Sequence, residues 1–137
     1  MNKSDWYENR IRWRSKKLQL DAFNWSDFEL SNKLAAKKVL EKIEACGAPI
    51  LVFWSNDDVW TLLTIKFLVG KLGDVLSIVD LDKLGTISTE NVSHVAIEEL
   101  KQEAEYILAG GILFWTPKGG AHFSLRNILQ MFPINVP

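Results

Sequence analysis

One cysteine, Cys46, stands alone in 137 residues. No disulfide can close within the chain, so nothing points to an oxidising compartment, and a cytoplasmic setting is expected. Long hydrophobic runs are also missing: none approaches the ~20 residues that span a bilayer. The opening residues MNKSDWYENR hold no apolar core of the signal-peptide kind, and no membrane partner is expected. Prolines number only four, and 16 basic residues nearly cancel 17 acidic ones, which excludes proline-rich linkers and the highly charged disordered class. Catalytic signatures are absent as well: GxSxG, CxxC, HExxH, GxxxxGK[ST] and GxGxxG do not occur. No catalytic residue, metal or cofactor is assigned.

What is present is a globular composition, 47% hydrophobic, in a length that suits one domain over 1–137. The charge is unevenly spread. Between Met1 and Lys17 six basic side chains face two acidic ones, a balance of +4 that leaves −5 for the rest. Trp6, Tyr7 and Trp13 interleave there with Arg10, Arg12 and Arg14, in a segment expected to be helical. Together with Trp25 they form a candidate interaction surface, because tryptophan, tyrosine and arginine dominate interface hot spots. The same mixture can grip a phosphate backbone and stack bases, which is the nucleic-acid alternative.

The pattern of elements predicts an α/β fold. Lys17–Phe23 alternates polar and apolar residues like a strand. Ser26-Asp27-Phe28-Glu29 reads as a capping box opening a helix to about Cys46, with Gly47 as its stop. The apolar run Pro49–Trp54 reads as a strand covered on both faces. Ser55-Asn56-Asp57-Asp58 reads as helix-start chemistry for VWTLLTIKFLVGKLG, followed by the strand VLSIVDLD. A helix over Val92–Leu108, a strand GILFW and a helix over His122–Phe132 complete the order. Strands alternating with helices predict a single three-layer domain with a mostly parallel sheet of about four strands, flavodoxin-like or Rossmann-like.

In such a sheet, ligands bind beyond the carboxyl ends of the strands. The loops expected there bring Asp57, Asp58, Asp80 and Asp82 opposite Lys118, His122 and Arg126. In WTPKGGAHFS, the amides of Gly119 and Gly120 and the hydroxyl of Ser124 suit an anion at a helix start, although Lys118 precedes the glycines, the reverse of the P-loop order. This makes a small phosphate- or nucleotide-binding domain, with or without a metal, the alternative function.

Asp80-Leu81-Asp82-Lys83-Leu84-Gly85 resembles the DxDxxG element of toprim-type nucleases, with tryptophan or serine (Trp54, Ser55) where those domains place a glutamate. Ile50 to Val92 is similar to a bacterial domain family of unknown function. The shared positions are Val52, Phe53, Trp54, Asp57, Leu62, Leu63, Leu68, Leu72, Leu84, Gly85, Ser88 and Glu90. That resemblance implies an apolar strand, an acidic residue, a leucine-rich helix, a second strand and a Leu-Gly loop, and no particular reaction. The leading expectation is a non-catalytic cytoplasmic protein of adaptor or immunity type that binds another protein.

Overall fold

The computed structural model describes residues 2–43, 46–90 and 105–134. Its first element is helix α1, Lys3–Lys17, capped by Asn2, whose side chain accepts a hydrogen bond from the Asp5 amide at 2.8 Å. Tyr7, Ile11 and Ser15, four residues apart, are its buried stripe. The helix closes where Gln19 turns left-handed at φ 60°. The Gln19 and Leu20 amides then donate back to the Lys16 and Ser15 carbonyls. The strand expected over Lys17–Phe23 is therefore a helix end and a 3-10 turn, Asp21–Phe23. Its alternation arose because Leu20 folds inward to seal the helix end, at 1% exposure.

The single helix expected from Ser26 to Cys46 is two, α2 (Trp25–Ser31) and α3 (Lys33–Lys42), broken at Asn32. Its cap is Asn24 rather than Ser26, accepting from the Asp27 amide at 3.0 Å.

Four strands follow as an antiparallel meander in the order β1 (Pro49–Asn56), β2 (Val59–Thr64), β3 (Phe67–Leu72) and β4 (Val75–Asp80). A second antiparallel sheet joins β5 (Ser88–Glu90), β6 (Tyr106–Ala109) and β7 (Ile112–Trp115), and helix α4 (Gly120–Leu129) follows it. Every strand pair among the described residues is antiparallel. The mostly parallel, flavodoxin-like or Rossmann-like sheet is thus overturned in favour of an α+β arrangement. The helix expected over Val92–Leu108 lies outside the described residues as far as 104, and Tyr106–Leu108 are strand.

The physical reason lies in burial on both faces. Trp60 and Leu62 of β2 and Val69 of β3 pack toward α2 and α3. Leu63 and Leu68 pack toward the second sheet and α4. With both sides apolar, the two-residue period of the hairpin disappears, and its fifteen residues VWTLLTIKFLVGKLG read as one apolar helix. The leucine-rich helix implied by the family resemblance is this same β2–β3 hairpin. Its turn is made by Thr64, whose hydroxyl oxygen accepts from the Lys66 and Phe67 amides at 3.1 and 2.9 Å.

The first sheet is therefore a wall between two apolar clusters. On one side are Trp25, Ala36, Val39, Ile43 and Cys46. On the other are Tyr7 and Ile11 of α1, Phe114 of β7, and Leu125, Ile128 and Leu129 of α4. β7 crosses over β2 and β3, and the Thr61 hydroxyl donates to the Trp115 carbonyl. Gly70 gives Phe114 its seat: a Cβ there would meet the ring at 2.5 Å. Among the described residues, no helix is long and apolar enough to cross a membrane.

Candidate functional site

The outer face of α1 is the most exposed concentration of aromatic and cationic groups that the sequence singled out. Because Tyr7, Ile11 and Ser15 face the core, helical periodicity turns Trp6, Arg10, Trp13, Arg14 and Lys17 along another stripe. Trp13 is 43% exposed. The Arg10 guanidinium lies 4.5 Å from its ring centroid, Arg14 at 5.5 Å and the Lys17 ammonium at 4.3 Å. Arg10 also reaches Trp6, at 5.8 Å. These cation–π contacts hold the side chains in a shared arrangement. Two donors on the stripe, Trp6 Nε1 and Arg14 Nε, are buried without an acceptor, a condition that costs about 1–3 kcal/mol per group.

The other residues of the expected surface separate from this stripe. Arg12 turns to Glu8, 3.4 Å away. Tyr7 is buried; its hydroxyl donates to Asp82 and accepts from the Ile134 amide at 3.2 Å. Trp25 is also buried, its ring tilted against Phe28 at 5.5 Å, which in turn meets Trp54 at 5.2 Å. Lys17 belongs to the stripe although the sequence reading did not include it among site residues; its spacing of four from Trp13 was the available signal.

The residues expected to surround a ligand do not form one site. Asp57 and Asp58 lie at the β1–β2 turn, facing Lys38 at 3.8 Å and Lys71 at 2.9 Å. The Lys71 ammonium holds the Asp58 carboxyl below the usual range. Asp80 and Asp82 lie at the opposite end of the sheet, and the length of β2 between them corresponds to about 20 Å. Asp80 accepts from the Asp82 amide at 2.8 Å. Asp82 is bonded to both Lys3 and Tyr7. Burial opposes the Asp82 charge, but these two hydrogen bonds outweigh it and lower its pKa. Lys3 is raised by the bond to Asp82, and Tyr7 is raised by burial and then by that same carboxylate. A cavity of about 170 Å³ opens beside them, lined by Lys3, Ser4, Tyr7, Lys66, Asp80 and Asp82 among others.

WTPKGGAHFS joins β7 to α4 on the second sheet. Gly119 caps α4 at φ 91°, Gly120 is its first residue, and open space surrounds both. Lys118 precedes this turn. Ser124 donates to the Leu18 carbonyl at 3.4 Å, tying α4 to the end of α1. His122 is fully buried and turns away from the loop. Its hydrogen bonds fix the donors in sequence. Arg126 donates to Thr89 Oγ1 at 2.9 Å, and the Thr89 hydroxyl reaches His122 Nε2 at 2.9 Å. On the other side, His122 Nδ1 meets Thr116 Oγ1 at 2.7 Å, and Thr116 donates to the Glu105 carbonyl at 3.2 Å. A carbonyl can only accept, so Thr116 takes the Nδ1 proton and Nε2 accepts from Thr89. Burial first, and then the Arg126 charge, push the imidazole pKa down to about 4. A neutral histidine with both nitrogens engaged braces β5, β7 and α4.

Among the described residues, no three His, Cys, Asp or Glu side chains gather as a metal set. No family model matches this chain, and no curated protein or solved structure matches it either.

Proposed function

We propose that this chain is a non-catalytic cytoplasmic binding protein, of adaptor or immunity kind, whose α1 stripe grips an acidic surface on another protein. The observation that carries this reading is Trp13, 43% exposed and surrounded by three cations within 5.5 Å. A large ring in water gains free energy when a partner covers it, and the cations set the partner's sign. Mutual contact between ring and cations also reduces the side-chain entropy that binding would otherwise cost. The charged groups around the Trp13 ring, Arg10, Arg14 and Lys17, are all hydrogen-bond donors, and carboxylates are their natural acceptors. A cytoplasmic setting fits the single, buried Cys46.

The test is affinity capture from nuclease-treated extract, followed by titration of the purified partner. Replacing Arg10 and Trp13 together by alanine is expected to weaken that complex by at least about thirtyfold, the scale of hot-spot truncation, with circular dichroism unchanged. An unchanged affinity overturns the assignment of the surface. Capture that disappears with nuclease treatment, and binding of single-stranded DNA lost in the same variant, would give the stripe to nucleic acid instead.

A further inference from the structure

We propose that the free edge of β4 pairs antiparallel with β4 of a second copy of this chain, forming a continuous eight-stranded sheet across a two-fold axis. Among the described residues, β4 pairs only with β3. The two-residue turn Gly73–Asp74 makes Leu72 and Val75 a hydrogen-bonded pair. Along β4, Val75, Ser77 and Val79 therefore bond to β3, and the amides and carbonyls of Leu76 and Ile78 face outward. The Leu81 amide, which donates to the Lys66 carbonyl at 3.0 Å, continues this alternation. Leu76 and Ile78 also carry exposed apolar side chains, 38% and 44% accessible.

These outward groups are symmetric about Ser77. A two-fold axis at that residue sets Leu76 of one copy against Ile78 of the other, twice, and satisfies both pairs of backbone donors and acceptors. The same register carries Asp74 to the far end of the second copy's β4. Asp74 has no partner among the described residues. At that far end Asp74 stands opposite Asp80 of the other copy, and Lys66, which lines the same cavity as Asp80, is the cation available to offset the two facing carboxylates.

The rest of the fold explains why pairing would stop at two. β4 has no proline, lysine or bulge in its six residues, and its charges, Asp74 just before it and Asp80 as its last residue, stand only at its two ends. The opposite edge, β1, begins at Pro49, is irregular in register at both ends, and is bridged by Asn24 at Leu51. Joining two copies along β4 consumes the bare edge of each and leaves the joined sheet with only its two β1 edges, so it closes as a dimer rather than growing into a fibre.

Light scattering and disulfide trapping test this with the whole chain. The wild type is expected to sediment as a dimer at about 100 µM. Ile78→Pro removes an outward amide without touching the bonds to β3 and should yield a folded monomer. Ser77→Cys places two thiols across the axis in a non-hydrogen-bonded pair, about 4.5 Å between Cα atoms, a spacing that a disulfide accepts. It should cross-link at least about tenfold faster than Glu41→Cys on the exposed side of α3. A wild type that stays monomeric overturns the proposal, as does a folded Ile78→Pro variant that stays dimeric. If Ile78→Pro does not fold, equal cross-linking by Ser77→Cys and Glu41→Cys decides against it.

Discussion

Three of the four edge strands among the described residues are treated in two ways. β1 is latched by the backbone of Asn24 and β5 by side chains of the last helix, whereas β4 is bare among the described residues. Asn24 bridges β1 at Leu51 and at the same time caps α2. Thr89 of β5 accepts from Arg126 and reaches His122 at 2.9 Å. Both latches come from helical elements that pack on the sheets, the Asn24 cap of α2 for β1 and His122 and Arg126 of α4 for β5. β4 lies beyond the reach of α2 and α3, and its Leu76 and Ile78 remain in water. An edge left both apolar and unbonded marks where the fold looks outside itself for completion.

The largest expected break comes from unlatching β5 with protons. The folded His122 pKa, about 4, lies below the ~6.5 of an unfolded histidine. The unfolded chain therefore binds the proton more readily. The stability owed to the neutral ring is complete above about pH 6.5 and is lost as pH falls toward 4, by roughly 3 kcal/mol at pH 4. His122→Gln keeps a donor and an acceptor but cannot titrate. Carboxylates titrate alike in both proteins, so urea unfolding of the pair isolates the histidine. The wild type should lead at neutral pH, and its lead should shrink by about that amount on acidification. A constant difference would mean that the buried brace does not resist protonation.

The β1 latch should matter less. Asn24→Ala removes the side chain that accepts from the Asp27 amide but leaves the backbone bridge to Leu51 intact. The expected cost is about 1 kcal/mol, read as a shift in denaturant midpoint, with Asn24→Asp restoring most of it. A much larger loss would show that α2 and the β1 edge unfold together.

These latches also show what could be read from residues alone. α1 was legible because its signals are local: its cationic stripe follows from spacing within one helix. α4 was legible from its own apolar pattern, starting two residues before His122. The sheet was not. Strands covered on both faces lose their alternation, and Pro49–Trp54 betrayed itself only through length. The turns did carry signals: Gly73-Asp74 is a tight hairpin pair, and Gly110 and Gly111 have φ of 58° and 75°, the geometry of a primed turn. Once the parallel sheet gives way to a meander, the expected cluster of carboxylates divides between the two ends of β2 and β3. The partners of His122 could not be foreseen, because Thr89 and Thr116 meet it only through packing of the second sheet against α4.

The smallest effect on the isolated chain should come from the bare edge, and its dependence on concentration gives it value. Ile78→Thr keeps a β-branched residue on an exposed strand, so dilute, monomeric protein should change in stability by less than about 0.5 kcal/mol. If two copies join along β4, Ile78 becomes buried against Leu76 of the other copy, and the same substitution then removes apolar surface from an interface. The difference between wild type and variant should grow as protein concentration rises, because the dimer stabilises only the folded state. Denaturant midpoints measured over a hundredfold range of concentration, roughly 1 to 100 µM, would show this as a widening gap. Equal midpoints at every concentration would leave β4 a solvated edge, unlike β1 and β5 in having no latch at all.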